Sequence, residues 1–296
     1  MIDDTYITGK VGVNGTHPFV EHFKFVKALE DENTVAKQTI PSPGQFYAYF
    51  TGTQLLEDTL KIYGTEEAFA EDVIKAYGEF IKELYKVNPN TVVVLVAGSS
   101  MAVNWMDENV PAILNAWYPG EQGGNAVAEV LFGDYNPGGR LPLTYYNSLD
   151  EIPAFDNYSV KGRTYQYFEG QPLYEFGYGL SYTKFRYKSK GVNVEQDTVK
   201  VSFEVSNIGK YDGDEVAQVY VKYPETGTYM PFKQLHGFKR VHIKKGKTSK
   251  VTIGVPKKDL RYWDEQERKF VTPKGEYTFM VGASSEDIKF RETVGL

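Results

Sequence analysis

The stretch between Asn115 and Arg140 constrains the fold more than any other part of the 296-residue chain. Its sequence, NAWYPGEQGGNAVAEVLFGDYNPGGR, has the pattern of a strand end, a glycine-rich turn, a short amphipathic helix and a second glycine-rich turn. The glycines before the helix permit a close approach of backbone to backbone, and Gly133 is placed to end the helix. The pattern therefore predicts a helix seated against a sheet, with a turn on either side.

The segment that precedes this stretch has the pattern of an α/β domain. Residues 65–86 carry apolar side chains at helical spacing, Thr65 is placed to cap the helix, and residues 88–90 form a turn. A continuous β-branched run, TVVVLVA over residues 91–97, then indicates a strand that is covered on both faces. The helix, the turn and the two-faced strand together favour a sheet with helices on each side.

From residue 185 onward the pattern changes to short alternating runs separated by turn signals. The predicted strands cover residues 198–206, 215–223, 234–243, 247–255, 260–263, 269–271 and 276–282. Their number and spacing are typical of a β-sandwich of the immunoglobulin or fibronectin kind. Between the two patterns, residues 145–182 are rich in Tyr, Gly and Pro without a clear period. A connection of that length is expected to wrap and pack against its neighbours.

The composition argues against several kinds of site and partner. The chain has no cysteine and only 4 histidines, without paired-histidine spacing, so we expect neither a metal site nor a cofactor. No apolar run of about 18 residues occurs, which argues against a membrane partner. The N-terminal sequence MIDDTYITGK lacks the pattern of a signal peptide, which favours a cytoplasmic location. Lysines in the second half alternate along strands, so nucleic-acid binding is not expected.

The residues themselves single out no catalytic group. The glycines of the first turn lack the spacing of a phosphate-binding loop, and Ser99 and Ser100 lack the flanking pattern of a nucleophilic serine. Carboxylates are abundant, but Asp134, Asp156 and Glu169 lie in loops, where helix caps and turns are their ordinary roles. The catalytic residues are therefore left unassigned.

Aromatic residues and an arginine are the candidates for contact with a sugar. Trp117 and Tyr118 end a predicted strand at the edge where open α/β sheets bind ligands. The long connection adds Tyr158, Arg163, Tyr165 and Tyr167. Such residues can form a wall for a sugar ring, and they can equally form a domain interface, because Tyr and Arg are enriched in both. We take as candidate substrate-binding residues Trp117, Tyr118, Arg163 and Tyr165.

Four long motifs give the chain a family resemblance. They are NPNTVVVLVAGSSMAVNW, ILNAWYPGEQGGNAVAEVLFGDYNPGGRLPLTYY, KGRTYQYFEGQPLYEFGYGLSYTKF and PKGEYTFMVGASSEDI. Through these motifs, residues 85–296 resemble the C-terminal region of glycoside hydrolase family 3, which contains β-glucosidases and β-xylosidases. The resemblance implies an α/β plus all-β chain, in which a partial α/β sandwich domain is followed by a fibronectin type III-like β-sandwich.

On this resemblance the chain divides into four parts. Residues 65–145 form the partial α/β sandwich domain, residues 146–184 a wrapping linker, and residues 185–296 the fibronectin type III-like domain. Residues 1–64 form an N-terminal segment whose structure the sequence does not determine. Residues 7–84 resemble a fragment of the cobalamin-independent methionine synthase family, so the chain has the pattern of a fusion.

The family 3 resemblance implies hydrolysis of β-glycosidic bonds. The family's nucleophile is an aspartate in a Ser-Asp-Trp type motif on a (β/α)8 barrel, and its acid/base glutamate lies upstream of the strand matched by residues 91–97. Neither can be carried over to this sequence, so we predict a chain that is inactive alone and leave open whether it is an enzyme. The expected partners are a β-linked oligosaccharide and a separate barrel chain.

Two other functions stay open. The chain can be a non-catalytic carbohydrate-binding or interaction module, which would bind cello- or xylo-oligosaccharides without turnover. It can also be a methyltransferase-like remnant, which would bind folate or homocysteine, although the zinc ligands of that family are absent. The sequence does not identify the sugar or the oligomeric state.

Overall fold

The residues that the computed structural model describes are 7–12, 17–52, 55–154 and 156–296. Backbone contacts divide the chain into two compact units. The first unit comprises Met1–Val94 and Trp105–Leu114, and the second comprises Leu95–Asn104 and Asn115–Leu296. Within the described ranges, no helix is both long enough and apolar enough to cross a membrane.

The first unit is mainly helical. Its helices are α1 (Pro18–Lys27), α2 (Pro43–Thr51), α3 (Leu56–Tyr63), α4 (Glu66–Val87) and α5 (Asn104–Asn109). The hydroxyl of Thr65 accepts a hydrogen bond from the Ala68 N–H and caps α4, as the sequence predicts. The apolar stripe of α4 is anchored by Phe69, which is fully buried and contacts aromatic side chains of α2 and α3. Helix α4 is therefore the element on which α1, α2 and α3 pack.

The strand predicted over residues 91–97 is shorter and more exposed than expected. It forms β1 (Val92–Leu95), which pairs with β2 (Ala112–Asn115) in a two-stranded sheet. Val92 and Val96 are 42% and 57% exposed, so the expectation of cover on both faces is wrong for this chain. A β-branched run indicates a strand that favours burial. In this chain the sheet has only two strands, and the described helices do not cover both of its faces.

The second unit contains the helix of the opening stretch, α6 (Gly123–Phe132), and the short helix α7 (Thr164–Tyr167). Gly133 adopts a φ of +86° and ends α6 in the left-handed conformation, as predicted. The strands that follow are β3 (Phe185–Val194), β4 (Thr198–Asn207), β5 (Gly213–Lys222), β6 (Gln234–Ile243), β7 (Thr248–Pro256), β8 (Tyr262–Asp264), β9 (Lys269–Val271), β10 (Glu276–Gly282) and β11 (Ile288–Gly295).

These strands form the β-sandwich that the alternating pattern predicts. One antiparallel sheet has the order β11-β10-β5-β6 and the other has the order β3-β4-β7. Every second residue of β4 points into the core, where Val199, Val201, Phe203 and Val205 are at most 1% exposed. The fold class, α/β plus all-β, is confirmed.

The membership of the two sheets differs from the prediction. The predicted strands at 260–263 and 269–271 pair only with each other, as the two-stranded sheet β8-β9. Their places are taken by β3 and β11, which the sequence pattern did not separate from turns. Both lie at sheet edges, and their charged residues alternate with half-buried apolar ones. Edge strands carry more charge than central ones, which weakens their apolar signal in the sequence.

Candidate functional site

Two of the four candidate residues lie just beyond β2. Trp117 has a φ of +52°, a conformation that is uncommon for a residue other than glycine. Its N–H donates to Oδ1 of Asn115 at 3.3 Å, and Nδ2 of Asn115 donates to the hydroxyl of Tyr145 at 2.9 Å. Tyr118 is 78% exposed, and its ring lies so close to Gly98 that a Cβ at that position would clash with the ring. The structure thus presents an aromatic side chain next to a strained backbone.

Arg163 is occupied by the backbone of its own loop. Its Nη2 donates to the carbonyl oxygens of Asn157 at 2.7 Å, Ala154 at 3.0 Å and Pro153 at 3.3 Å. Its Nε donates to the carbonyl oxygen of Ser159 at 3.2 Å. These four bonds engage Nε and Nη2 of the guanidinium and give Arg163 a structural role in its loop.

Tyr165 is likewise held by protein contacts. Its ring stacks on Phe176 with a centroid distance of 4.3 Å, and its hydroxyl accepts a hydrogen bond from the Leu235 N–H at 3.0 Å. Among the described residues, no contact found joins the pair Trp117–Tyr118 to Arg163 or Tyr165. The four candidates therefore do not assemble into one site, and a sugar-binding role for them stays a prediction.

Two adjoining recesses lie on the second unit beside helix α7, which carries Tyr167. The first recess has a volume of about 420 Å³ and is lined by side chains that include Glu151, Lys161, Tyr167, Glu169 and Tyr229. The second recess has a volume of about 260 Å³, shares the two tyrosines, and adds Tyr223, Arg261, Tyr262 and Trp263. Aromatic and charged side chains line both recesses, a composition found in many ligand sites.

The shared wall of the recesses is a stacked pair, Tyr167 and Tyr229, which we call the tyrosine ridge. The ring centroids are 5.3 Å apart and the ring planes meet at 20°. Nζ of Lys161 lies 5.0 Å from the centroid of the Tyr229 ring, in the geometry of a cation–π contact. Burial, with a smaller contribution from Tyr229, raises the pKa of Tyr167, so its hydroxyl stays protonated over the whole neutral range.

The sequence identifies only half of the ridge. Tyr167 lies in the tyrosine-rich connection, whereas Tyr229 lies in the β5–β6 loop, which has no periodic pattern. No local pattern reports that these two segments meet. A pairing between residues 62 positions apart depends on the tertiary fold, and the stacked geometry is visible only in the structure.

The most deeply buried ion pair of this region is sealed from solvent. Nη2 of Arg140 lies 2.9 Å from Oε2 of Glu215, and the two side chains are 8% and 3% exposed. Tyr187 donates its hydroxyl to Oε1 of Glu215 at 2.7 Å. Burial raises the pKa of Glu215, and Arg140 and Tyr187 oppose that rise. The pair ties the end of the opening stretch to β5, and its burial leaves no room for a substrate.

The described residues offer no obvious metal centre. In those parts of the chain, no group of three or more His, Asp or Glu side chains converges on one point. His242 and Arg240 both bind Asp214, with Nδ1 of His242 2.7 Å from Oδ1. Burial acts to raise the pKa of Asp214, but its hydrogen bonds to His242 and Arg240 hold that pKa below its ordinary value. This cluster is an ion-pair network on the sandwich surface.

Comparison with known proteins gives both parts of the chain a family. Residues 58–182 match the glycosyl hydrolase family 3 C-terminal domain, and residues 215–285 match the fibronectin type III-like domain. These matches show that the chain carries the C-terminal domain of glycosyl hydrolase family 3 and a fibronectin type III-like domain.

Known glycosidases align over most of this chain but over a minor part of their own length. A xylan 1,4-β-xylosidase from Xylanibacter ruminicola is 40% identical over 215 residues, which are 72% of this chain and 25% of that protein. A β-glucosidase from Kluyveromyces marxianus is 37% identical over 232 residues, 73% of this chain and 27% of that protein. The chain therefore spans only about a quarter of these curated relatives.

Solved structures give the same picture. The structure of the Kluyveromyces marxianus β-glucosidase in complex with glucose superposes with a TM-score of 0.69 at 35% identity, over 74% of this chain and 28% of that one. β-Glucosidase 3B from Thermotoga neapolitana, in complex with α-D-glucose, gives 0.68 at 31% identity, over 76% and 35%. At this identity the likeness supports common descent as well as a common fold.

The family match also bears on the N-terminal part. It begins at residue 58, inside the segment 7–84 that resembles the methionine synthase family. Residues 58–84, which include most of α4, therefore lie within the family 3 domain. The methionine synthase resemblance receives no support from this finding.

Proposed function

We propose that this chain supplies the C-terminal part of a β-glycosidase and that its 296 residues alone do not hydrolyse glycosides. The observation that supports this most directly is the extent of the match, because the relatives align over only 25% to 35% of their own length. Hydrolysis with retention needs two carboxyl groups about 5–5.5 Å apart across the glycosidic bond. One of them belongs, by family resemblance, to a barrel that these residues do not encode.

The carboxylates of this chain are consistent with a nucleophile that lies outside these 296 residues. The 296 residues contain no Ser-Asp-Trp motif. Burial raises the pKa of Glu215, but this carboxylate is paired with Arg140 and closed off from solvent. Glu151 lines the first recess, but its Oε2 accepts the N–H of Asn147 at 2.9 Å, as a turn residue does.

The exposure of β1 supports the proposal that further elements pack on this sheet in the assembled enzyme. Val92 in β1 and Val96 just after it are each an exposed β-branched residue, of a kind that a larger sheet covers on both faces. We propose that a (β/α)8 barrel and the remaining α/β elements, on the same or a separate chain, provide this cover. We propose β-linked gluco- or xylo-oligosaccharides as substrates of that assembly, since the relatives are named β-glucosidases and β-xylosidases.

Within such an assembly, we propose that Trp117 and Tyr118 contact the sugar. Their position beyond β2 and the exposure of Tyr118 support this role. Arg163 and Tyr165 act indirectly, by holding the loop and helix α7 in place.

The test compares the chain alone with a chimaera. In the chimaera, residues 58–296 replace the matching region of the Kluyveromyces marxianus β-glucosidase. Aryl β-glucoside and aryl β-xyloside are the substrates. We expect no turnover by the chain alone, turnover by the chimaera, and a several-fold higher KM in the chimaera with Tyr118→Ala. Turnover by the chain alone that survives repeated purification would reject the proposal.

A non-catalytic carbohydrate-binding module is the second candidate. The observation that favours it is the tyrosine ridge with two adjoining recesses. Saturable binding of oligosaccharides without product formation by the chain alone would support this candidate.

The cellular compartment of the protein is also proposed rather than shown. We propose a cytoplasmic location, while one relative, from Salmonella typhimurium, is named a periplasmic β-glucosidase. Fractionation of the source cells, followed with marker proteins for each compartment, distinguishes the two. Recovery with a marker of an exported fraction would contradict the proposal.

A further inference from the structure

The tyrosine ridge is built in advance of any ligand. Tyr167 belongs to α7 and Tyr229 to the β5–β6 loop, and a backbone hydrogen bond from the Phe232 N–H to the Gln166 carbonyl oxygen, 2.8 Å long, joins the two segments. The bond from the Leu235 N–H to the Tyr165 hydroxyl adds a second link. These two hydrogen bonds join the segments that carry the stacked rings and restrain their relative position, which lowers the entropy cost of binding.

Helix α7 begins with a strained residue. Thr164 has a φ of +56°, which for a β-branched residue is a genuine outlier. Its N–H donates to the hydroxyl of Tyr146 at 2.7 Å, and the preceding Arg163 binds the loop carbonyls. Such strain costs on the order of 1–3 kcal/mol and clusters at ligand clamps and active sites. Here the strained turn sets the direction in which α7 presents Tyr167 to the ridge.

The polar groups around the ridge favour an uncharged ligand rich in hydroxyl groups. Glu151 and Glu169 lie on the first recess with Lys161, whose ammonium is engaged with the Tyr229 ring. Over the two recesses, Glu151 and Glu169 are balanced by Lys161 and Arg261, and a site without net charge favours an uncharged ligand. Carboxylate and ammonium groups both bond well to hydroxyls. Thr228, Gln234 and Arg261 supply polar atoms to the second recess.

The shape favours a chain of flat rings. β-1,4-Linked glucose and xylose units hold their ring substituents equatorial, so each unit exposes a face of axial C–H bonds that packs on an aromatic ring. The recess volumes, about 420 and 260 Å³, lie near the range of roughly 300–1,000 Å³ of small-molecule sites. Because the ridge stands between two recesses, neighbouring sugar units can occupy both.

We propose that the tyrosine ridge and its two recesses bind a linear, uncharged β-1,4-linked oligosaccharide, one pyranose ring of which displaces the Lys161 ammonium from the Tyr229 ring and stacks there. The β-1,4 linkage rests on the proposed function, whereas the stacking of pyranose rings rests on the geometry of the ridge. The site holds the sugar chain and takes no part in bond cleavage.

Isothermal titration of the whole chain tests this assignment. Cellohexaose and xylohexaose are the probes, and maltohexaose, which is α-linked and curved, is the control ligand. The variants are Tyr229→Ala and Tyr229→Phe, with Tyr211→Ala as the matched control, because Tyr211 is 60% exposed and does not line either recess. Trp263→Ala, in the second recess, is a second independent variant.

We expect saturable binding of a β-linked hexaose, weakened about tenfold or more by Tyr229→Ala, the loss typical of truncating an anchoring aromatic residue. Tyr229→Phe keeps the ring face and stays within about twofold of wild type, as does Tyr211→Ala. Trp263→Ala weakens hexaose binding without lowering the thermal midpoint. Equal binding by Tyr229→Ala, equal loss in Tyr229→Phe, or no binding by any probe overturns the inference.

Two readouts separate this inference from the proposed function. Chromatography of each titrated sample detects hydrolysis products. Product formation would reject the proposed inactivity of the chain but leave the ridge assignment standing if Tyr229→Ala still weakens binding. Tighter binding of maltohexaose than of the β-linked probes would reject the linkage.

Discussion

At the scale of residues, the buried ion pair Arg140–Glu215 is a place in the second unit where a single substitution should strongly change stability. Both side chains are almost fully buried, and Nε of Arg140 has no hydrogen-bond partner in the described part of the chain. Desolvation of two charges offsets most of their attraction, so the intact pair adds little net stability. Removing one partner leaves the other as an uncompensated buried charge.

We therefore predict that Arg140→Met lowers the free energy of unfolding by about 3–5 kcal/mol. The double variant Arg140→Met with Glu215→Leu should recover much of that loss, because no charge then stays buried alone. The control is Lys200→Ala, which breaks an exposed pair with Glu195 and should cost less than about 1 kcal/mol. Urea unfolding measures all three. A double variant as unstable as Arg140→Met would contradict the argument.

A half-buried histidine gives a pH dependence of known sign. Nε2 of His236 lies 2.9 Å from the hydroxyl of Tyr223. Burial lowers the pKa of His236, and the charge of Asp259 opposes that shift only partly. The unfolded chain, with a histidine pKa of about 6.5, then binds a proton more readily than the folded chain does.

Stability contributed by neutral His236 should be lost as the pH falls below about 6.5 toward the lowered folded pKa. We predict that the wild type loses more unfolding free energy over that window than His236→Asn does. Above the window, the difference between the two proteins should be constant. Denaturant unfolding at a series of pH values measures this difference, and a difference independent of pH throughout would contradict the expected shift.

At this scale the sequence identifies the types of residue that can bind a sugar, but not the hydrogen-bond partners that those residues have in the fold. Arg163 is predicted as a sugar ligand from its aromatic neighbours, a role that stays a prediction, and four backbone carbonyls accept hydrogen bonds from its Nε and Nη2. Which carbonyls surround a guanidinium depends on the path of an irregular loop, and no periodic pattern reports that path. Tyr229 was missed for the same reason.

At the scale of elements, we expect the β-sandwich core to contribute much more to the free energy of unfolding than the β8-β9 hairpin does. Phe203 on β4 is 1% exposed and lies in the cluster formed by both sheets. Trp263 on β8 is 49% exposed and packs against Phe270 on β9, with a centroid distance of 5.3 Å. The hairpin pairs with neither large sheet.

We predict that Phe203→Ala lowers the unfolding free energy by about 3–5 kcal/mol, because it leaves a cavity in the core. Trp263→Ala should change it by no more than about 0.5 kcal/mol, as expected of an exposed position. Thermal and urea unfolding of the two single variants provide the comparison. A large loss from Trp263→Ala would show that the hairpin supports the sandwich, contrary to this account.

Elements with strong local signals were predictable. Helix α4 has a capping threonine and a long apolar stripe, and α6 ends at a glycine that adopts positive φ. The edge strands β3 and β11 were not, because their charged alternate positions resemble an exposed turn region. The burial of β1 was overestimated, since the sequence records a β-branched run but not the number of strands available to cover it.

At the scale of the whole molecule, the chain combines a region matched to the family 3 C-terminal domain with a fibronectin type III-like domain. The family could be identified from the long motifs of the sequence. The place of a binding site could not, because the ridge joins a connection and a loop that are separate in sequence. The family match supports the proposed glycosidase chemistry, and the geometry of the ridge supports the proposed sugar-binding surface.

The central claim is that these 296 residues do not contain the nucleophile of a glycosidase. The most direct test uses an activated 2-deoxy-2-fluoro β-glucoside and β-xyloside, which trap the covalent glycosyl-enzyme of a retaining enzyme. Intact-protein mass spectrometry then follows the purified chain, with a complete family 3 β-glucosidase as positive control. We predict no mass increase for this chain and one added glycosyl group for the control. A stoichiometric glycosyl adduct on an Asp or Glu of this chain would contradict the claim.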